Sequence, residues 1–359
     1  MKPGAHANDP NHSPLREAIR ALVQDRRDLG AETMRETMRA IMEGRGTDAQ
    51  IAAFLVGLRM KGETVEEILG AAEAMRAKAR RLRTIHDPVL DTCGTGGDGA
   101  GTFNISTITA LVAAGAGACV AKHGNYSVSS RCGSADLLEA LGIDIRLSYP
   151  DVERCLDEGR IAFLFAPLLH EAMKFAIAPR REIGVRSIFN LLGPLTNPAG
   201  AKRQLLGVYG PALTEPIATV LARLGAERAW VVYSEEGTDE ITLGGRTFVS
   251  EVEGGRVRNL TLSARDFGLA SVPVDAIRGG PPETNASIAL SVLAGEPGPA
   301  RETILANTAA ALLVSGTAGT LAEGIDRAIE SIDSGAARGR LEFLRSRGRG
   351  PERLLPEGS

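Results

Sequence analysis

From Pro14 to about residue 82, apolar side chains recur every three or four positions and no stretch alternates. Leu15, Ile19, Leu22 and Val23 form one stripe, and Met34, Met38, Ile41 and Met42 a second. That spacing gives each helix a single apolar face. Ser13-Pro14 reads as a helix start, with a capping side chain before proline at the first helical position. Thr47 with Gln50, and Thr64 with Glu67, read as capping boxes. They open helices carrying Ile51, Phe54, Leu55 and Leu58, then Ile68, Leu69, Ala72 and Met75. Four helices and no strand are expected here.

From Ile85 the pattern changes to short β-rich runs between helical ones. Strands are expected at Val89–Cys93, Cys119–Ala121, Ile143–Arg146 and Ile161–Phe165. The last is continuous and apolar, as in a strand buried on both faces. Helices are expected from Ile105 to about Ala114, at Ser134–Leu141 and at Asp151–Glu158. His170–Asn197 interrupts the alternation: it is helical in pattern, rich in arginine, and stopped by Gly193-Pro194 and Asn197-Pro198. Its second half is expected to rejoin the first helices, with a hinge near Pro179. Leu205–Tyr209, Leu213–Leu224 and Ala229–Tyr233 then read as strand, helix and strand. Thr247–Val252 and Arg256–Leu262 flank Gly254-Gly255 like a hairpin. Helices follow at Ala286–Leu293, Glu302–Leu313 and Leu321–Ile332, and the chain after Arg345 reads as frayed.

Strand-helix alternation predicts a parallel sheet covered by helices. The fold class is therefore α/β: a small all-helical domain beside a large α/β domain with a mostly parallel central sheet flanked by helices. The expected boundaries are residues 14–84 with 179–200 for the helical domain, and 85–178 with 201–348 for the large one. Residues 1–13 and 349–359 are expected to be a disordered tail and a frayed end.

Composition narrows the function. The 359 residues carry a net charge of −3, which argues against a polyanion-binding surface and so against nucleic acid. The basic run Arg76–Arg83 reads as a solvated helix end. Four scattered cysteines without a C-x-x-C pair argue for a reducing compartment and against zinc. The polar start lacks the apolar region of a signal peptide, and no run reaches the ~18 apolar residues of a membrane helix. A cytoplasmic protein without membrane contact is expected.

The chemistry concentrates between Asp91 and Ser134. Five glycines fall between Gly94 and Gly101, after a strand and before the helix opened by Asn104, Ser106 and Thr107. Glycine tolerates positive φ and close backbone approach, and a helix start attracts anions. Gly94, Gly96 and Gly99 fit G-x-G-x-x-G, but Lys122 stands where a dinucleotide site needs an acid, and no Walker lysine follows. The polar loop Lys122–Ser130 also follows a strand. Two such loops suit a ligand phosphorylated at both ends, because ligands of parallel sheets gather at the carboxyl ends of strands. A third loop carries Asp239-Glu240, an oxygen pair suited to Mg²⁺ or simply a charged turn. Arg180-Arg181 could grip a carboxylate or lie at the surface.

At this point the chain resembles the anthranilate phosphoribosyltransferase family. GTGGDG (Gly94–Gly99), NIST (Asn104–Thr107), AKHGNYSVSS (Ala121–Ser130) and GSADLLEALG (Gly133–Gly142) carry the resemblance. So do H-x-A-M-K (His170–Lys174), PRREIGVRSIFNLLGPLTNP (Pro179–Pro198), QLLGVYGP (Gln204–Pro211) and TDEIT (Thr238–Thr242), in order from about Pro14 to Leu344. The resemblance implies transfer of a phosphoribosyl group from 5-phosphoribosyl-1-pyrophosphate (PRPP) to anthranilate, the second step of tryptophan biosynthesis. It implies Mg²⁺, two ions per subunit, and a homodimer joined through the helical domains.

By matching motif, PRPP contacts are implied for Gly94, Gly97, Asp98, Thr102, Asn104, Ile105, Ser106 and Thr107. They are implied also for Lys122, His123, Gly124, Asn125, Tyr126, Ser127, Val128, Ser129, Ser130 and Ser134. Gly94, Asn125 and Arg180 would contact anthranilate, and Ser106, Asp239 and Glu240 would hold metal. No general base is implied, since the amine nucleophile is neutral at pH 7; His123 could assist or be structural. The family has arginine at Tyr126, His-Gly at Tyr233-Ser234, leucine at Thr238, and H-P-x-M where this chain has His170-Glu171-Ala172-Met173. Tyr126 and Tyr233 keep another aromatic amine in view as acceptor; a related architecture and a Gly/Ser-rich phosphate loop keep in view a pyrimidine nucleoside phosphorylase activity, against which the Asp239-Glu240 pair argues.

Overall fold

The computed structural model describes residues 13–127 and 131–347. The chain begins with α1 (Pro14–Val23), α2 (Ala31–Met42), α3 (Asp48–Lys61) and α4 (Val65–Lys78). Next come β1 (Val89–Gly94), α5 (Ile105–Gly115), β2 (Cys119–Gly124), α6 (Ser134–Ala140), α7 (Tyr149–Gly159) and β3 (Ile161–Phe165). Three helices interrupt the sheet: α8 (Ala166–Leu169), α9 (Lys174–Ile183) and α10 (Phe189–Leu195). Then follow β4 (Arg203–Gly207), α11 (Thr214–Arg223), β5 (Arg228–Ser234), β6 (Thr247–Glu253) and β7 (Arg256–Leu262). The chain closes with α12 (Pro282–Leu293), α13 (Pro299–Ser315), α14 (Leu321–Asp333) and α15 (Ala336–Arg347). No helix among the described residues is long and apolar enough to cross a membrane.

Two compact units result. One comprises residues 13–80 with Pro167–Thr196; the other, Arg81–Ala166 with residues 197–347. In the helical unit Leu15, Met34, Met38, Phe54, Leu58 and Ile68 are fully buried. Both capping boxes form: Thr47 accepts from the Gln50 N–H, and Thr64 from the Glu67 N–H. Glu67 does more than cap. Its buried carboxylate accepts from the Leu29 N–H at 2.9 Å, the Thr64 N–H at 2.8 Å and the Lys61 ammonium at 3.0 Å. One side chain thus ties the start of α4 to the end of α3 and to the segment before α2.

The α/β unit is built on a seven-stranded sheet of order β3-β2-β1-β4-β5-β6-β7. The first five strands are parallel; β6 and β7 form an antiparallel hairpin at one edge. Gly254 and Gly255 turn that hairpin with φ of 56° and 76°, the left-handed pair a tight β-turn needs. β3 is buried at every position, as its unbroken apolar run requires. Strand order reverses between β1 and β4, because one leads on to β2 and the other to β5 on opposite sides. Such a switch point opens a crevice beyond the strands' carboxyl ends. α5 and α13 pack on the strands around it.

Four expectations change. Ile143–Arg146 is not a strand: Ile143 and Ile145 are buried and their neighbours exposed, but the segment pairs with no strand. Alternation records a buried face, not a hydrogen-bonding partner. Pro179 is a buried residue inside α9 rather than a hinge, and the chain enters the helical unit at Pro167, so residues 167–178 belong to it. Arg76 is not simply solvated, for its guanidinium donates to the Leu195 carbonyl at 2.7 Å and closes the end of α10. Finally, α15 was not expected. Its start packs so closely on α5 that a Cβ on Gly115 would lie 2.7 Å from the Ala337 nitrogen. The expected tail at residues 1–13 falls, but for Ser13, outside the described residues, as does the frayed end at 349–359.

Glu67→Ala removes a buried partner from a lysine and two backbone donors. It should lower the stability of the helical unit by roughly 3 kcal/mol. Urea unfolding measures it; a loss below about 0.5 kcal/mol would show the three contacts to be dispensable.

Candidate active site

Gly94 and Gly207 end β1 and β4 and are paired in register. Past Gly94 the chain turns through Gly96, Gly97, Gly99 and Gly101, with φ of 62°, 75°, 79° and 68°. Residues with a Cβ rarely adopt such angles, which explains the glycines. The acidic loop lies across both strand ends. A Cβ on Gly207 would sit 1.5 Å from the Asp239 carbonyl oxygen, and one on Gly94 would sit 2.5 Å from its carboxylate. Gly207 must therefore lack a side chain for the loop to be there, and at Gly94 a side chain would displace the Asp239 carboxylate.

Asp239 accepts from the Gly96 N–H at 2.8 Å, and its own N–H donates to Asp98 at 3.3 Å. Glu240 accepts from the Ser106 N–H at 3.1 Å, in the first turn of α5. Lys122, on β2, donates to the Thr92 carbonyl at 2.6 Å and to the Ser106 hydroxyl at 3.2 Å. Ser106, Asp98, Asp239, Glu240 and Lys122 thus meet at the switch point. The cluster is electrostatically tense. Burial and the neighbouring Asp98 push the Asp239 carboxyl up to about 7. Burial and Asp239 push Glu240 up to about 8, with Lys122 opposing. Burial pulls the Lys122 ammonium down, while Asp91, Glu240 and Asp239 hold it charged.

The second loop folds back on itself. Ser134 donates to the Asn125 carbonyl and accepts its N–H, both at 3.2 Å. Asp136 accepts from the Ser127 and Gly133 N–H groups at 3.1 and 2.7 Å. Tyr126, where the family has arginine, donates to Glu139 at 3.0 Å, accepts from Arg146 at 2.8 Å and stands edge-on to Phe165 at 5.3 Å. It pins the loop to α6. Two other departures act within the acidic loop: the Ser234 hydroxyl meets that of Thr242, and the Thr238 hydroxyl donates to the Glu240 carbonyl at 3.2 Å.

Not every residue singled out from sequence offers its side chain. Ile105 is wholly buried in the core, and Thr107 is 2 % exposed. His123 is buried on β2, its N–H held by Asp91 at 3.1 Å. Thr102 is bridged to Arg278, and Asn104 is bonded to Asn285 and Cys132. Gly97 and Gly124 are half-buried, while Asn125 is exposed. Val128, Ser129 and Ser130 lie outside the described residues. Arg180 belongs to the helical unit, half-buried with its guanidinium 5.1 Å from the Phe189 ring centroid. Two residues had no sequence signal. Asn307, buried on α13, accepts from the Ile241 N–H at 3.2 Å and donates to its carbonyl at 2.8 Å, bracing the residue after Glu240. Asn285, buried on α12, does the corresponding work on the glycine-rich side.

Among the described residues no three His, Cys, Asp or Glu side chains form a ready-made metal centre. What the crevice offers instead is carboxylate and hydroxyl oxygens beside backbone N–H groups, a donor set for a hard cation that shares its coordination with phosphate.

Comparison with known proteins agrees. Residues 86–338 match the glycosyl transferase family, a/b domain, and residues 16–79 its helical bundle domain. Fold and crevice together define a two-unit glycosyl transferase. The anthranilate phosphoribosyltransferase of Moorella thermoacetica is 56% identical over 309 residues, covering 86% of this chain and 91% of its own length. That of Pelotomaculum thermopropionicum is 52% identical over 330 residues, covering 92% and 95%. The crystal structure of the Thermus thermophilus enzyme superposes with a TM-score of 0.88 at 43% identity, covering 94% of this chain and all of that one. The Saccharomyces cerevisiae enzyme in complex with PRPP and Mg gives 0.85 at 29% identity, covering 93% and 97%. The chain belongs to the anthranilate phosphoribosyltransferase family.

Gly207→Ala should displace the acidic loop, break the Asp239–Gly96 hydrogen bond and cost on the order of 1–3 kcal/mol of stability. A crystal structure of that variant with the loop unmoved would contradict the steric account.

Proposed function

We propose that this protein transfers the 5-phosphoribosyl group of PRPP to anthranilate, giving N-(5-phosphoribosyl)anthranilate and pyrophosphate. The observation that carries the reading is the Asp239-Glu240 loop seated on the glycine-rich turn and on the first turn of α5, in a chain more than half identical to enzymes of that name. The C1–oxygen bond to pyrophosphate breaks, with its electron pair leaving on oxygen. The anthranilate nitrogen bonds C1 and loses a proton to solvent. Because C1 becomes cationic while the leaving group carries several charges, positioning and charge neutralisation dominate.

This chain's residues serve those tasks. The glycine-rich turn from Gly94 to Thr102 borders the pyrophosphate end, with its Gly96 N–H already given to Asp239 and the Ser106 N–H of the α5 start to Glu240, and the Asn125–Ser134 loop borders the other phosphate. Lys122 fixes Ser106 from below and adds positive charge. Asp239, Glu240 and Ser106 fit Mg²⁺, since the carboxyls stand protonation-prone where a divalent ion would relieve their repulsion. Two ions per subunit suit a diphosphate held between those oxygens. When bound, the metal neutralises the leaving group. Arg180 pairs with the anthranilate carboxylate.

Association as a homodimer through the helical unit is part of the proposal. Met60 is 84% exposed, Val56 36%, and Val23 56%; Val23 lies against Gly57, between those two on α3. They are exposed apolar surface of the helical unit, as Leu168, Phe175, Ile177 and Val185 also are. All four cysteines are buried and none is in a disulfide, which fits a reducing cytoplasm.

Anthranilate fluorescence should fall with time only when PRPP and Mg²⁺ are both present. No turnover at millimolar substrates would overturn the assignment. Arg180→Ala should raise the anthranilate KM ten- to a hundredfold, the loss of one charged hydrogen-bonding partner, and leave the PRPP KM within about twofold. Equal changes in both constants would show that Arg180 does not recognise the carboxylate.

A further inference from the structure

α13 is buried without a break from Thr303 to Leu312, mostly as alanine, leucine and isoleucine. An asparagine in the middle of such a helix costs free energy unless its amide is fully partnered. Asn307 is 1 % exposed, and both its Nδ2 protons and its oxygen are used. Nδ2 donates to the Thr303 carbonyl at 2.9 Å, one turn back on its own helix, and to the Ile241 carbonyl at 2.8 Å. Oδ1 accepts from the Ile241 N–H at 3.2 Å. An amide turned the other way would set its oxygen against two carbonyls, so these partners fix its orientation.

Ile241 follows Glu240 directly. The Ile241 N–H and the Glu240 carbonyl lie on opposite edges of one planar peptide unit and can only turn together. The Thr238 hydroxyl donates to that carbonyl at 3.2 Å, while Asn307 holds the N–H. The Ile241 side chain is wholly buried in the core of the α/β unit. Glu240 therefore leaves the chain in one direction, toward α5, where its Oε1 accepts from the Ser106 N–H at 3.1 Å. That bond uses one lone pair of the carboxylate and leaves others for a cation. Asp239 is held from elsewhere. Its carboxylate accepts from the Gly96 N–H at 2.8 Å, and its own N–H donates to Asp98 at 3.3 Å, both on the glycine-rich turn.

We infer that Asn307 is a positioning residue that aims the Glu240 carboxylate and so sets the affinity of the site for a divalent cation it does not touch. The physical reason is preorganisation. A carboxylate already held in direction loses little freedom on coordinating a metal, whereas a wandering one must first be ordered. α13 packs on β1 and β4, whose ends seat Asp239, so the spacing of the two carboxylates is a matter of helix against sheet.

The inference rests on the phosphoribosyl-transfer reading only for the identity of the cation. Asn307→Ala should raise the Mg²⁺ concentration for half-maximal rate about tenfold, with kcat at saturating Mg²⁺ within about threefold and the anthranilate KM unchanged. A lowered kcat that added Mg²⁺ does not restore would overturn the idea. Hydrogen exchange without metal or substrate reads the two carboxylates separately. The Ser106 amide, the donor to Glu240, should exchange about tenfold faster in Asn307→Ala, and the Gly96 amide, the donor to Asp239, at its wild-type rate. Equal acceleration of both, or of neither, would leave Asn307 a purely structural residue. Thr238→Val frees the other edge of the same peptide plane at nearly constant volume and should repeat the pattern, which keeps the test open if Asn307→Ala does not fold; acceleration at Gly96 as great as at Ser106 would again count against the inference. Should the wild type show no Mg²⁺-dependent turnover, the functional reading fails, while the exchange rates still decide the role of Asn307.

Discussion

The site depends on two missing side chains. Gly94 and Gly207 stand opposite each other at the ends of the central strands; the backbone of Asp239 passes where the Cβ of Gly207 would be, and its carboxylate lies where that of Gly94 would be. Steric exclusion at this range is not a gradual penalty, since neither main chain can give way without breaking strand hydrogen bonds. Once both positions are bare, the acidic loop can lie on the switch point and present its carboxylates to the glycine-rich turn and to the start of α5.

Charge then organises what sterics admits. Asp98, Asp239 and Glu240 would repel one another in a low-dielectric crevice without counterweights. The backbone N–H groups of Gly96 and Ser106 and the ammonium of Lys122 provide some, though burial and mutual repulsion still push the two loop carboxyls up to about 7 and about 8. A site with excess negative charge and spare oxygen donors is adapted to a divalent cation that brings a polyphosphate with it. The bonding of Lys122 to Ser106 and Thr92 shows that its task includes holding the floor of the crevice, not only facing a ligand.

Much of this was legible in the chain because local rules and tertiary packing agree. The capping boxes at Thr47 and Thr64, the glycine-rich turn before α5, the apolar run of β3 and the Gly254-Gly255 hairpin each have a short-range cause that survives folding. Where agreement fails, the reading fails. Ile143 and Ile145 alternate like a strand yet find no partner. Pro179, which locally suggests a break, is absorbed in α9. The hydroxyls of Tyr126, Thr238 and Ser234, the departures noted in the sequence, are spent holding the two loops in shape.

By itself, the sequence determined the helical and α/β units, the parallel sheet, the glycine-rich turn and the candidate oxygen ligands. Those follow from periodicity, φ requirements and side-chain chemistry, each acting over a few residues. Only the tertiary structure decided that Asp239 rests on Gly94 and Gly207, that Asn104 is turned from its own helix toward Asn285, and that Asn307 grips Ile241. These partners are separated by between 32 and 181 residues in the chain. Their contact depends on which helix packs beside which strand, a choice made by burial of the whole core and invisible to any local window.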